Sequence, residues 1–155
     1  NGLGDIFVFT FFGLVSVIGC YILFAKQFDH VTLLPALTIG MLSTAVLNLN
    51  NMRDRLSDKQ ADKNTLAVKF GEKKVKLYHN ILVVGAIILS VLFVILYFNT
   101  VYNLIFMIAY VPLLLHLKRV NGYQEPELYD PELKKLALTT VLLAILMGIG
   151  YLLPF

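Results

Sequence analysis

The chain has 155 residues, 58% of them hydrophobic and 15% charged, with a formal net charge of +3 and a mean hydropathy of +0.76. A soluble domain carries about 25% charge, so this composition excludes an ordinary soluble domain. The single cysteine, Cys20, excludes an intrachain disulfide.

In chain order, Asn1-Gly2-Leu3-Gly4 lacks an initiating Met and a basic stretch. That start does not read as a signal peptide, and its closeness to a first span reads as part of something longer. Five blocks free of Lys, Arg, Asp and Glu follow, at about 6–25, 31–49, 81–98, 101–117 and 136–153. Each approaches the roughly 20 residues a helix needs to cross a bilayer. They are apolar all round and lack the period-2 alternation of strands. The predicted fold is therefore all-α, a polytopic bundle of five transmembrane helices. Cys20 in the first span reads as a small packing residue. In the second span Ala36, Gly40 and Thr44 recur every four residues, the spacing at which helix backbones approach closely in lipid. His79 and His116, beside the loops, read as solvated boundary residues.

The charges sort by side. Residues 50–80 carry eight of the 13 cations and residues 118–135 four more, whereas the opposite connections hold Lys26 alone. The positive-inside rule places the loops at about 50–80 and 118–135 in the cytoplasm of a cell membrane. These cations follow topology and have no interleaved aromatics, so nothing points to nucleic acid.

Chemistry concentrates where the second span runs into the first of these loops, at residues 48–65. If the helix continues, Asn50 or Asn51, Asp54, Asp58 and Asp62 share one face at i, i+4 spacing. Like charges at that spacing destabilise a helix, and a divalent cation would compensate. Mg²⁺ is typically held by one or two carboxylates together with substrate phosphates and water. Asp54 and Asp58 are the candidate metal ligands, with Asn50 or Asn51 as neutral oxygen donors. Arg53, Arg55, Lys59 and Lys63 supply positive charge for phosphate oxygens. The bland alternative is a solvated helix laced with ion pairs. The membrane-edge position, the preceding asparagines and Lys63-Asn-Thr65 weigh against it. Thr65 is a candidate N-cap for a short helix over 66–70 that Gly71 would end, a possible surface lid.

The run Asn50-Asn-Met-Arg-Asp54-xxx-Asp58-xxxx-Lys63-x-Thr65-Leu-Ala-Val-x-x-Gly71 resembles the second aspartate-rich motif of the UbiA family of membrane prenyltransferases. Its Asn-Asn-x-Arg-Asp start and Lys-x-Thr-Leu end are most similar to the branch that prenylates 1,4-dihydroxy-2-naphthoate in menaquinone synthesis. The opening Gly2-Leu-Gly-Asp-Ile-Phe-Val-Phe-x-Phe-Phe-Gly13 is similar to the start of the fifth helix in that branch. The resemblance departs at Asp5, where Glu is commoner, and at Asp62, where Gly is commoner.

The resemblance implies a nine-helix fold in which residues 1–155 supply helices five to nine, the C-terminal part of one domain. The N-terminal half of the same protein would carry the first aspartate motif, so this chain alone is expected to be inactive. The implied reaction is Mg²⁺-dependent transfer of a polyprenyl group from its diphosphate to 1,4-dihydroxy-2-naphthoate, giving demethylmenaquinone. Asp54 and Asp58 would hold metal. Arg53, Lys63, Asn50 and Asn51 would bind diphosphate, with Arg53 and Lys63 also stabilising the leaving charge. The implied partners are the polyprenyl diphosphate, an aromatic acceptor and the lipid bilayer. Competing expectations are another aromatic acceptor (4-hydroxybenzoate, homogentisate or haem) or a cation transporter or scaffold. Transporter carboxylates normally lie mid-span, and all five span interiors lack acids.

Overall fold

A computed structural model describes residues 3–153. Among these residues all the regular secondary structure is helical, and five helices are long and apolar enough to cross a membrane: α1 (Leu3–Ala25), α2 (His30–Arg53), α4 (Leu66–Leu96), α5 (Val101–Gly122) and α6 (Pro126–Leu152). A short α3 (Arg55–Gln60) lies between α2 and α4.

The helices extend past their apolar cores at one end of the bundle. α4 begins at Leu66 although its uninterrupted apolar run starts only at Ile81. Thr65 caps it, its hydroxyl accepting from the Val68 amide at 3.3 Å. The backbone leaves helical conformation only at Gly71, with φ 71° and ψ 174°. That region is essentially restricted to glycine, so the short 66–70 helix ends where a side chain would be strained.

α2 is the central helix. Its small residues admit α1 at close range: a Cβ on Gly13 would lie 2.5 Å from Gly40 Cα and 2.7 Å from the Ala36 carbonyl oxygen. The small-residue spacing therefore serves backbone approach. α5 starts with a tight 3₁₀ stretch, Val101–Ala109. There Asn103 accepts from the Asn99 and Thr100 amides at 2.7 and 2.8 Å and donates to the Gly150 carbonyl at 2.9 Å. This ties the start of α5 to the far end of α6.

The polar segments meet at the opposite end. Arg53 reaches Asp130 across 2.7 Å, Arg55 lies 3.6 Å from Glu72, and Lys76 donates to the Tyr123 carbonyl. The Leu42, Leu49, Val83, Ala86, Phe106, Leu113 and Leu143 side chains fill the core between α2, α4, α5 and α6. α1 is the least enclosed span, with Phe7, Phe11, Phe12, Leu23 and Phe24 exposed.

Candidate diphosphate site

α2 ends at Arg53, and the chain turns at Asp54 (φ −85°, ψ 2°) before α3. The turn keeps helical pitch between the two acids, because the Asp58 amide donates to the Asp54 carbonyl at 2.8 Å. Asp58 therefore follows Asp54 by one turn. Asp62 does not extend the row: α3 stops at Gln60 and Asp62 adopts a left-handed backbone, φ 53°. The four-residue repeat of carboxylates thus ends at Asp58. A bend there lets the chain turn back towards Thr65.

The two carboxylates are held differently. Asp54 accepts from Arg53 Nε at 2.7 Å, from Arg53 Nη2 at 3.0 Å and from Asn50 Nδ2 at 3.3 Å. Arg53 Nη2 also donates to Asn50 Oδ1 at 2.8 Å. The bond from the Arg53 guanidinium holds the Asp54 carboxyl below its ordinary value. Asp58 is 6% exposed, and Lys63 Nζ donates to its Oδ1 at 3.0 Å. Its Oδ2 has no hydrogen bond among the described residues. Lys63 arrives from the far side of the turn, fixed by its own amide bonding the Asp58 carbonyl at 2.9 Å.

The asparagines face two spaces. Asn51 and Lys63 line a cleft of about 320 Å³ together with Asp5 and Thr65. Asn50 closes one end of a groove of about 530 Å³, whose walls are mainly apolar: Val8 and Phe12 of α1, Val46 and Leu47 of α2, Ala137 and Val141 of α6. Leu47 borders both. A charged, hydrogen-bonding cluster thus adjoins an oily channel between helices.

The donor set suits a hard cation that brings other ligands with it. Among the described residues no three His, Cys, Asp or Glu side chains converge on a metal position. Two carboxylates in a helical turn, one with a free oxygen, match the partial protein ligation that Mg²⁺ accepts alongside phosphate and water.

His79 and His116 are not the solvated boundary residues that the sequence suggested. Both are buried, His79 completely, with their Nε2 atoms 2.9 Å apart. Their neighbours in sequence are a mix of apolar and cationic residues, and only the three-dimensional pairing of positions 37 apart reveals them.

Comparison with known proteins then decides the family. A family model described as UbiA prenyltransferase family matches residues 2–128. The chain belongs to the UbiA prenyltransferase family. Two similar UbiA-type relatives are the 1,4-dihydroxy-2-naphthoate octaprenyltransferases of Haemophilus influenzae and Escherichia coli. The first is 39% identical over 151 residues, covering 97% of this chain and 49% of that protein. The second is 36% identical over 149 residues, covering 96% and 48%. A Mycobacterium tuberculosis protein of the same description is 42% identical over 92 residues, covering 59% of this chain and 32% of that protein. The chain spans about half the length of the first two of these relatives. No solved structure matches it.

Proposed function

We propose that this chain is the C-terminal half, helices five to nine, of a membrane enzyme that transfers a polyprenyl group from its diphosphate to 1,4-dihydroxy-2-naphthoate. The observation that carries the reading is the junction at Asn50: a side chain bonded to Asp54 also closes the end of an apolar groove. A substrate with a diphosphate head and an isoprenoid tail needs that junction. The naming of the two relatives matched along almost the whole chain supports the acceptor.

On this reading, Arg53, Lys63, Asn50 and Asn51 bind the diphosphate oxygens, and the tail lies in the groove between α1, α2 and α6. Asp54 and Asp58 would hold Mg²⁺, which when bound offsets diphosphate charge. As the allylic C–O bond breaks, its electron pair leaves with the diphosphate, and Arg53 and Lys63 stabilise that growing charge from fixed positions. The naphthoate ring carbon bearing the carboxylate attacks the allylic carbon. CO₂ leaves, returning its electron pair to the ring, and the product is the dihydroxy form of demethylmenaquinone. The 61–71 segment, pinned by Thr65 and Gly71, covers the head group and excludes the water that would otherwise capture the allylic cation. The excess of Lys and Arg in the loops at 50–80 and 118–135 supports a site on the cytoplasmic face of the plasma (inner) membrane.

The test uses the complete enzyme, with the N-terminal half of the relatives' length present, in proteoliposomes. Asp54→Ala and Asp58→Ala are each expected to cut turnover at least about 100-fold, as loss of one transition-state partner does, while the protein stays folded. Lys63→Ala is expected to raise the KM for diphosphate. Wild-type turnover in both aspartate variants, or efficient use of 4-hydroxybenzoate in place of the naphthoate, would overturn the reading. The 155-residue chain alone is expected to be inactive, and activity from it would refute its assignment as half an enzyme.

A further inference from the structure

Four buried polar side chains, one from each of α2, α4, α5 and α6, form a single-file chain that the mechanism above does not use. Asn48 Nδ2 lies 3.4 Å from His79 Nδ1, His79 Nε2 lies 2.9 Å from His116 Nε2, and His116 Nδ1 lies 2.9 Å from Glu132 Oε2. Glu132 Oε1 accepts from Lys135 Nζ at 2.7 Å and Arg119 Nη1 at 3.2 Å. All four members are buried, Asn48, His79 and Glu132 at 0% exposure.

With both rings neutral, the chemistry of the donors gives one proton arrangement. A carboxylate only accepts, so His116 carries its proton on Nδ1. A neutral imidazole has one donor, so His116 Nε2 accepts from His79 Nε2–H. His79 Nδ1 is then an acceptor and takes a hydrogen from the Asn48 amide. That amide is already turned towards acceptors, with the Val75 carbonyl oxygen and Met52 Sδ each at 3.4 Å. Every hydrogen points the same way, from Asn48 towards Glu132, and the cations at the mouth keep the last acceptor charged. Two neutral histidines with both ring nitrogens engaged cannot rotate or exchange tautomers without breaking a bond. Asn48 Oδ1 is buried without a partner among the described residues, so the hold on Asn48 comes through its Nδ2 alone.

The chain ends on α2 less than one turn before Asn50 and Asn51. A helix rolls a side chain by about 100° per residue, so fixing Asn48 fixes which side chains face the groove and the cleft. We propose that His79 and His116 are positioning residues for the diphosphate site, setting the roll and depth of α2 against α4, α5 and α6 and thereby the aim of Asn50, Asn51, Arg53 and Asp54. This inference rests on the prenyl-transfer reading.

The experiment compares three variants of the complete enzyme in proteoliposomes, with the melting midpoint of each recorded. His79→Leu removes both bonds. His79→Asn keeps an oxygen for Asn48 but cuts the link to His116. His79→Gln places an amide donor where Nε2 lies and keeps that link, but removes the acceptor for Asn48. His79→Leu and His79→Asn are expected to raise KM for the polyprenyl diphosphate about tenfold, equivalent to about 1.4 kcal/mol, with kcat within about threefold. His79→Gln, which leaves Asn48 unheld, is expected to raise KM as well. A lowered melting midpoint with KM unchanged in folded His79→Asn overturns the proposal, as does a wild-type KM in folded His79→Gln. An unaltered enzyme without turnover sinks the prenyl-transfer reading and this inference together, whereas normal turnover with unchanged KM in His79→Asn sinks this inference alone.

Discussion

Arg53 is the busiest side chain at the membrane edge: it spans Asn50, Asp54 and Asp130 at once. Its grip on Asp54 has a pH consequence whose sign follows from the direction of the shift. A carboxyl held below its ordinary value contributes stability that is present above the unfolded pKa, about 3.9. That stability is lost as pH falls through the folded value. In Arg53→Ala the Asp54 carboxyl returns towards its ordinary range and this acid-side contribution disappears. Melting midpoints followed from pH 6 down to pH 3 are expected to fall less steeply in the variant than in the wild type. Parallel curves would show that the pair contributes nothing. Asp54 is about one-third exposed, so solvent screening keeps the effect small.

At the scale of elements, two glycines carry separate predictions. Gly13 permits α1 to lie on α2, and a Cβ there meets backbone that cannot swing aside. Gly13→Leu is expected to cost about 1–3 kcal/mol by overpacking, read as a lower melting midpoint and weaker α1–α2 crosslinking. Gly71 has open space around a Cβ, so Gly71→Ala is strained by its φ alone. That substitution costs about 1–3 kcal/mol locally and is expected to expose the 61–71 segment to limited proteolysis while leaving the spans intact. Of these elements, the Thr65 cap and the Gly71 stop were legible in sequence, because capping and positive φ depend on residue type at one position. The early start of α4 was not: Lys69, Lys73, Lys74 and Lys76 interrupt the apolar run that marks a span, though lysine is a good helix former. Nor was the break after Gln60, which disperses the carboxylate row that simple periodicity extends to Asp62.

For the whole molecule, the polar segments 50–80 and 118–135 lie at one end of the bundle, joined by the Arg53–Asp130 and Asn80–Asn121 contacts. Cysteines introduced at Ser57 and Lys134 are thus expected to react with a membrane-impermeant thiol reagent from the same side. A cysteine at Asn99 is expected to react only from the other side. In intact cells, with the cationic loops inside, only Asn99→Cys should be labelled from the medium. Labelling of Ser57→Cys there would invert the topology. Five spans and this charge asymmetry were readable from composition because burial in lipid constrains whole blocks. The His79–His116 chain was hidden because a buried histidine leaves no periodic mark, and its partners come from four different helices.

The groove that ends at Asn50 opens between helices along about 10 Å of α2, from Ser43 to Asn50. A tail entering there would come sideways from the hydrocarbon and never cross water. The relevant concentration for such a catalyst is a mole fraction in the leaflet. Diluting the bilayer with inert phospholipid should slow turnover at constant bulk substrate, whereas adding buffer volume should change nothing.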